Sequence, residues 1–120
     1  MGIQESEDRY LELSNKYLRD AEELLRGEDY PQASEKFWGA AAVMVKAVAD
    51  KMGVELRSHG EIRRFVNRLK DELNEPELNR LFAVAADLHQ NFYENWLPGQ
   101  AVIDNGELVE EFVDRLKRAF

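Results

Sequence analysis

Cysteine is absent from the 120 residues, and histidine occurs only twice. Without a thiol there is no disulfide framework, no thiolate nucleophile and no cysteine-based zinc site. Two histidines supply little of the usual equipment for metal binding or acid–base chemistry, so no metal, cofactor or catalytic residue is assigned. None of the seven glycines falls in a G-x-G-x-x-G or Walker A spacing, which removes the standard phosphate-cradling loops. H-E-x-x-H and Glu-x-x-His are both missing, which removes the zincin metalloproteases and argues against a ferritin-like di-iron bundle. No apolar run approaches the roughly 20 residues of a membrane helix, and the acidic start lacks the basic and apolar parts of a signal peptide. The expectation is a soluble, cytoplasmic protein that does not engage a membrane. Met1-Gly2-Ile3-Gln4-Glu5-Ser6 fits the N-myristoylation pattern in form only, because Glu5, Glu7 and Asp8 supply no basic second anchor.

What is present is 44% hydrophobic and 33% charged, a balance that fits one globular domain over residues 1–120. Sixteen Lys and Arg against 24 Asp and Glu give a net charge of −8. Nonspecific attraction to duplex DNA or anionic lipid is therefore disfavoured unless a local basic patch overrides it.

Tyr10, Leu13, Tyr17, Leu18, Ala21, Leu24 and Leu25 recur at three- and four-residue steps. They predict a first helix from about Ser6, its N-cap, to Arg26, ended by Gly27. Asp29-Tyr30-Pro31 reads as a cap followed by proline at the first helical position, opening a second helix to about Met52 before Gly53. The middle of that helix, Phe37 to Ala49, is apolar on almost every side, with Lys46 and Asp50 as a narrow polar strip. It needs neighbours all round, supplied either by a complete bundle or by a homodimer that shares helix two, and the Gly39–Ala42 run allows close approach. Ser58 and Glu61 form a capping box for a third helix with Ile62, Phe65, Val66, Leu69 and Leu73 inward. Leu78, Leu81, Phe82, Ala85, Leu88, Phe92 and Trp96 mark a fourth helix, ended by Pro98-Gly99. Asp104-Asn105-Gly106-Glu107 reads as a second capping box, launching a fifth helix with Leu108, Val109, Phe112, Val113 and Leu116 inward. No segment alternates with period two, so the fold class is all-α: a five-helix up-and-down antiparallel bundle, four long helices and one shorter.

Two segments carry chemistry. Residues 57–70 hold five bases against one acid. Arg63, Arg64, Asn67 and Arg68 lie opposite the apolar face of helix three, and Arg57 and His59 sit at its start. Guanidinium forks beside helix N-terminal amides suit a phosphate; the same pattern also fits a solvated face paired with acids of helix one or of a partner chain. The second segment is Leu88-His89-Gln90-Asn91-Phe92-Tyr93-Glu94-Asn95-Trp96. His89 and Tyr93 are one turn apart, with Asn91 and Asn95 beside them. Imidazole, phenol and amide there would line a ligand pocket, or His89 and Tyr93 would form a core edge with polar tips bonded to a neighbouring helix. Tyr30-x-x-Ala33-x-x-x-Phe37-x-x-Ala40 has the spacing of a tetratricopeptide helix, but no second copy follows.

The blocks Leu24-Leu25-Arg26-Gly27-Glu28-Asp29-Tyr30, Ala33-Ser34-Glu35-Lys36-Phe37-Trp38-Gly39-Ala40-Ala41, Leu56-Arg57-Ser58-His59-Gly60-Glu61 and His89-Gln90-Asn91-Phe92-Tyr93-Glu94-Asn95-Trp96 together resemble the archaeal PaREP family of small HEPN-like proteins. The resemblance covers nearly the whole chain. It implies a single HEPN-like helical domain, often dimeric, associated with nucleotide or RNA binding and, in some branches, with metal-independent RNA cleavage or toxin–antitoxin pairs. The nuclease branches carry arginine, four to six residues, then histidine; here Arg80 precedes His89 by nine positions and Arg57 precedes His59 by two. Cleavage is therefore not carried over. The reading is a noncatalytic binding or accessory module, homodimeric through helix two and neighbouring apolar surface. Arg57, His59, Arg63, Arg64 and Arg68 would meet a nucleotide or RNA phosphate, and His89, Asn91 and Tyr93 would line a pocket. The alternatives are a metal-independent ribonuclease or toxin–antitoxin component, and a purely structural partner of a separately encoded protein.

Overall fold

A computed structural model describes residues 3–119, with side chains from residue 8 onward. The Met1-Gly2 myristoylation pattern lies outside the described residues. Five helices follow one another: α1 (Ile3–Arg26), α2 (Tyr30–Lys51), α3 (His59–Glu72), α4 (Leu78–Glu94) and α5 (Gly99–Lys117). They form the up-and-down bundle expected, and none of the described helices is long and apolar enough to cross a membrane.

The start of α2 follows the reading closely. The Asp29 carboxylate accepts from the Gln32 amide at 3.3 Å, and Pro31 occupies the first turn, where its missing N–H costs nothing. At the far end Gly53 takes φ +73°, a left-handed conformation that stops the helix. Between these ends α2 packs against each of the other four helices. Phe37, Ala40, Ala41, Met44, Val45 and Ala47 are completely buried within one chain. The bundle therefore supplies the neighbours that helix two requires, and a homodimer through helix two is not needed to cover it.

Other expectations shift. The first helix begins at Ile3, so Ser6 lies inside it and is not its N-cap. Leu11, rather than Leu13, packs against the core from α1. Ser14, fully buried, donates to the Ala40 carbonyl at 2.9 Å and ties α1 to α2 where Gly39 lies against the Tyr17 ring. The fourth helix stops at Glu94, because Asn95 adopts a left-handed φ of 50°, and Trp96 stands exposed instead of joining the inward stripe. The fifth helix starts at Gly99, not at the expected box at 104–107. Gly106 is buried inside it, and a Cβ there would sit 2.5 Å from the Phe37 ring. Leu108 turns outward, while Val109, Phe112, Val113 and Leu116 are buried as read. Arg115 bonds Glu75 in the α3–α4 turn at 3.0 Å and Glu111 at 2.7 Å, fastening that turn to α5.

Candidate functional site

The capping box at the start of α3 forms and fixes one wall of a cleft. Ser58 is extended, and its Oγ accepts from the Glu61 amide at 3.1 Å. The Glu61 carboxylate reaches back to the Arg57 amide at 2.6 Å, one residue before the usual partner. His59 thus becomes the first residue of α3. On α2, Glu35 and Trp38 are one turn apart and share a face; on α4, Phe82, Ala86, His89 and Tyr93 recur at helical spacing. Trp38, His59 and the α4 residues meet around a cleft of about 340 Å³, with Arg63 at its edge and Glu35 behind His89.

His89 is the most constrained group there. Its ring stacks on Trp38 with centroids 4.8 Å apart and planes 24° from parallel. Its Nδ1 lies 3.0 Å from one Glu35 oxygen and 3.2 Å from the other. A carboxylate only accepts, so Nδ1 carries the hydrogen and Nε2 is the acceptor of the neutral ring. His59 stands edge-on to both Trp38 and His89, 5.3 Å from each. Tyr93 meets the edge of His89 at 5.5 Å, yet 70% of the residue is exposed. His89 is thus bonded to a neighbouring helix, as the core-edge reading expects, while Tyr93 projects into solvent.

The arginines just before and along α3 divide into two pairs. Arg57 bonds Glu55 at 3.1 Å, which raises the guanidinium pKa and holds the Glu55 carboxyl below its ordinary value. Arg68 bonds Glu72 at 2.7 Å. Neither partner comes from helix one. Arg63 and Arg64 have no carboxylate partner among the described residues. Arg63 lies over the Phe82 ring at 5.8 Å, and both arginines line an adjoining hollow of about 610 Å³ with Asn67, Asn79 and Phe82. The structure therefore brings together His59, Arg63, His89 and Tyr93, with Arg64 next door. It places Arg57 and Arg68 in a separate depression on the other side of Arg64.

Asn91 does not line the pocket. It is fully buried, donates to Ser34 Oγ at 3.0 Å, and accepts from the amides of Trp96 and Leu97 at 2.9 and 2.8 Å. Every polar atom it offers is spent on closing the α4–α5 corner. Conversely, Glu35, Trp38, Phe82 and Asp87 belong to the site and were not singled out from the sequence. Glu35 and Trp38 sit more than 50 residues before His89, and only their i, i+3 spacing at the head of α2 hinted at a shared face.

Elsewhere, a groove of about 840 Å³ between α1 and α5 is lined by Asp20, Glu22, Glu23, Glu110, Glu111 and Asp114 against Arg19, Arg26 and Lys117, an acidic balance that disfavours an anion. Among the described residues no cluster of three or more His, Asp or Glu is placed to hold a metal. Arg80 pairs with Glu77 at 3.4 Å and is not part of the cleft lining.

No curated protein sequence matches this chain. A crystal structure of a protein from Sulfolobus solfataricus superposes with a TM-score of 0.80 over 88% of this chain and 94% of that one, at 23% identity, and so shares its fold. The sequence model of the Archaeal PaREP1/PaREP8 family matches residues 9–113, and with the bundle and its blocks in place the chain belongs to that family.

Proposed function

We propose that the chain is a noncatalytic binding module of HEPN-like type, whose ligand is a nucleotide or an RNA phosphate held at the cleft between α2, α3 and α4. The observation that carries this reading is the pair Arg63 and Arg64. Arg57 and Arg68 spend their guanidinium groups on Glu55 and Glu72. Arg63 and Arg64 instead flank a cleft walled by π surfaces that suit a base. Asp87, also in the lining, offers an acceptor for a sugar hydroxyl.

The test is retention of a labelled mixed RNA pool in EDTA at low and moderate salt, with fragment length read from the same samples. The Arg63→Gln/Arg64→Gln variant is expected to lose about tenfold or more in affinity at low salt. Its dependence of log affinity on log salt should flatten by about 0.7 per lost phosphate contact. Unchanged retention would remove the arginines from the reading.

A second reading rests on the Glu35–His89 pair. A carboxylate-oriented imidazole with a second imidazole 5.3 Å away is the arrangement of a base and an acid, and would suit metal-independent cleavage beside a ribose 2′-hydroxyl. Fragments formed in EDTA and lost in His89→Ala would favour it over simple binding.

A further inference from the structure

Histidine occurs only twice in the chain, and the fold sets both copies side by side from helices that are 30 positions apart. The His59 and His89 ring centres are 5.3 Å apart, with their planes at 83°. Two imidazoles that share one tetrahedral ion, each at a metal–nitrogen distance of about 2.0–2.1 Å, hold their ring centres about 5 Å apart. The observed separation matches that requirement. The protonation pattern matches it too. Glu35 takes the Nδ1 hydrogen of His89, which leaves the Nε2 lone pair with no partner among the described residues. A carboxylate behind one ring nitrogen, with the other nitrogen open, is the arrangement that orients a metal-binding histidine and raises its basicity. Trp38, stacked on the same ring, fixes its plane. His59 is exposed in the first turn of α3 and makes no hydrogen bond among the described residues, so its ring is free to turn a nitrogen toward a shared ion.

We infer that His59 and His89 form a site for a divalent transition-metal ion of the zinc class, oriented by Glu35, with water completing the shell. Imidazole nitrogen suits Zn²⁺, Ni²⁺ and Cu²⁺, whereas Mg²⁺ and Ca²⁺ take oxygen. No third His, Asp or Glu among the described residues is placed to complete the set, so the ion exchanges with solvent and the bundle folds without it. Glu35 and Asp87 favour a cation there, and Arg63 at the cleft edge opposes it. The inference does not rest on the arginine reading. An ion held by both lone pairs also leaves neither imidazole free for acid–base work.

The experiment titrates the full chain with ZnCl₂ by calorimetry near neutral pH in a buffer that does not bind metal, with MgCl₂ as the control. A parallel titration with CuCl₂ reads tryptophan fluorescence. One Zn²⁺ per chain is expected at this site, with Cu²⁺ quenching Trp38. His59→Ala, a change at an exposed residue, and His89→Ala should each weaken Zn²⁺ about tenfold or more; Glu35→Gln, which touches no ion, should lose about tenfold. Glu22→Gln/Glu110→Gln, in the acidic groove, should leave the affinity unchanged. If His59→Ala binds Zn²⁺ as the wild type does, the two-imidazole site is overturned. If binding survives loss of both histidines, the ion sits on surface carboxylates and the inference is overturned. If the wild type takes up no Zn²⁺, or takes up Mg²⁺ equally well, the inference falls and the arginine reading stands, since its own test is run in EDTA.

Discussion

Asn91 occupies a position where the register of α4 calls for an apolar side chain, one turn beyond Leu88. It is tolerated because two amides and one hydroxyl give both its side-chain oxygen and its side-chain nitrogen a partner. Asn91→Ala would leave the Trp96 and Leu97 amides without an acceptor in a largely closed corner. The expected loss is about 2–4 kcal/mol of stability, read as a lowered midpoint in thermal or urea unfolding. The sequence pattern contained this signal, an asparagine on the core face, but the i, i+4 spacing to Asn95 directed attention to a pocket instead. His89 was legible as a residue of interest, whereas its partner Glu35 was not. Nothing local to Glu35 distinguishes it from a surface acid until α2 and α4 are brought side by side.

Two similar tetrads show where helix boundaries can and cannot be read. Ser58 to Glu61 and Asp104 to Glu107 both carry a capping residue followed three positions later by glutamate. The first caps a helix because residues 54–57 before it belong to no helix and Ser58 itself is extended. The second lies within a helix already started at Pro98, whose carbonyl accepts from the Ala101 and Val102 amides. Gly106 is therefore no turn residue but the gap into which Phe37 fits. Gly106→Ala should overpack α2 against α5 and cost about 1–3 kcal/mol, seen as a fall in thermal midpoint with unchanged helical signal at low temperature. Ser58→Ala should cost about 1 kcal/mol by the same measurement. On the proposed binding reading it should also weaken nucleotide retention modestly, since it loosens the turn that sets His59.

Across the molecule, the net charge of −8 is unevenly spread: carboxylates crowd the α1–α5 groove, while Arg63 and Arg64 face the opposite task on α3. Burial in that groove, reinforced by Glu22 and then by Glu107 and Asp114, pushes the Glu110 carboxyl up from 4.5 to about 7. The folded chain holds this proton more tightly than the unfolded one, so the seam carries no penalty below about pH 4.5 and weakens as pH rises toward and through 7. Glu110→Gln should accordingly raise the unfolding midpoint at pH 8 and converge with the wild type near pH 5. Thermal unfolding across that range checks it. The fold was legible because α2 demanded neighbours on every side; the cleft was less so, because it exists only where three helices meet. The relay from Tyr30 through Ser34 and Asn91 to the Trp96 and Leu97 amides joins the start of α2 to the end of α4. Deuterium should therefore enter those two amides only when the whole bundle opens, so that a surface corner shares the protection of the deepest core.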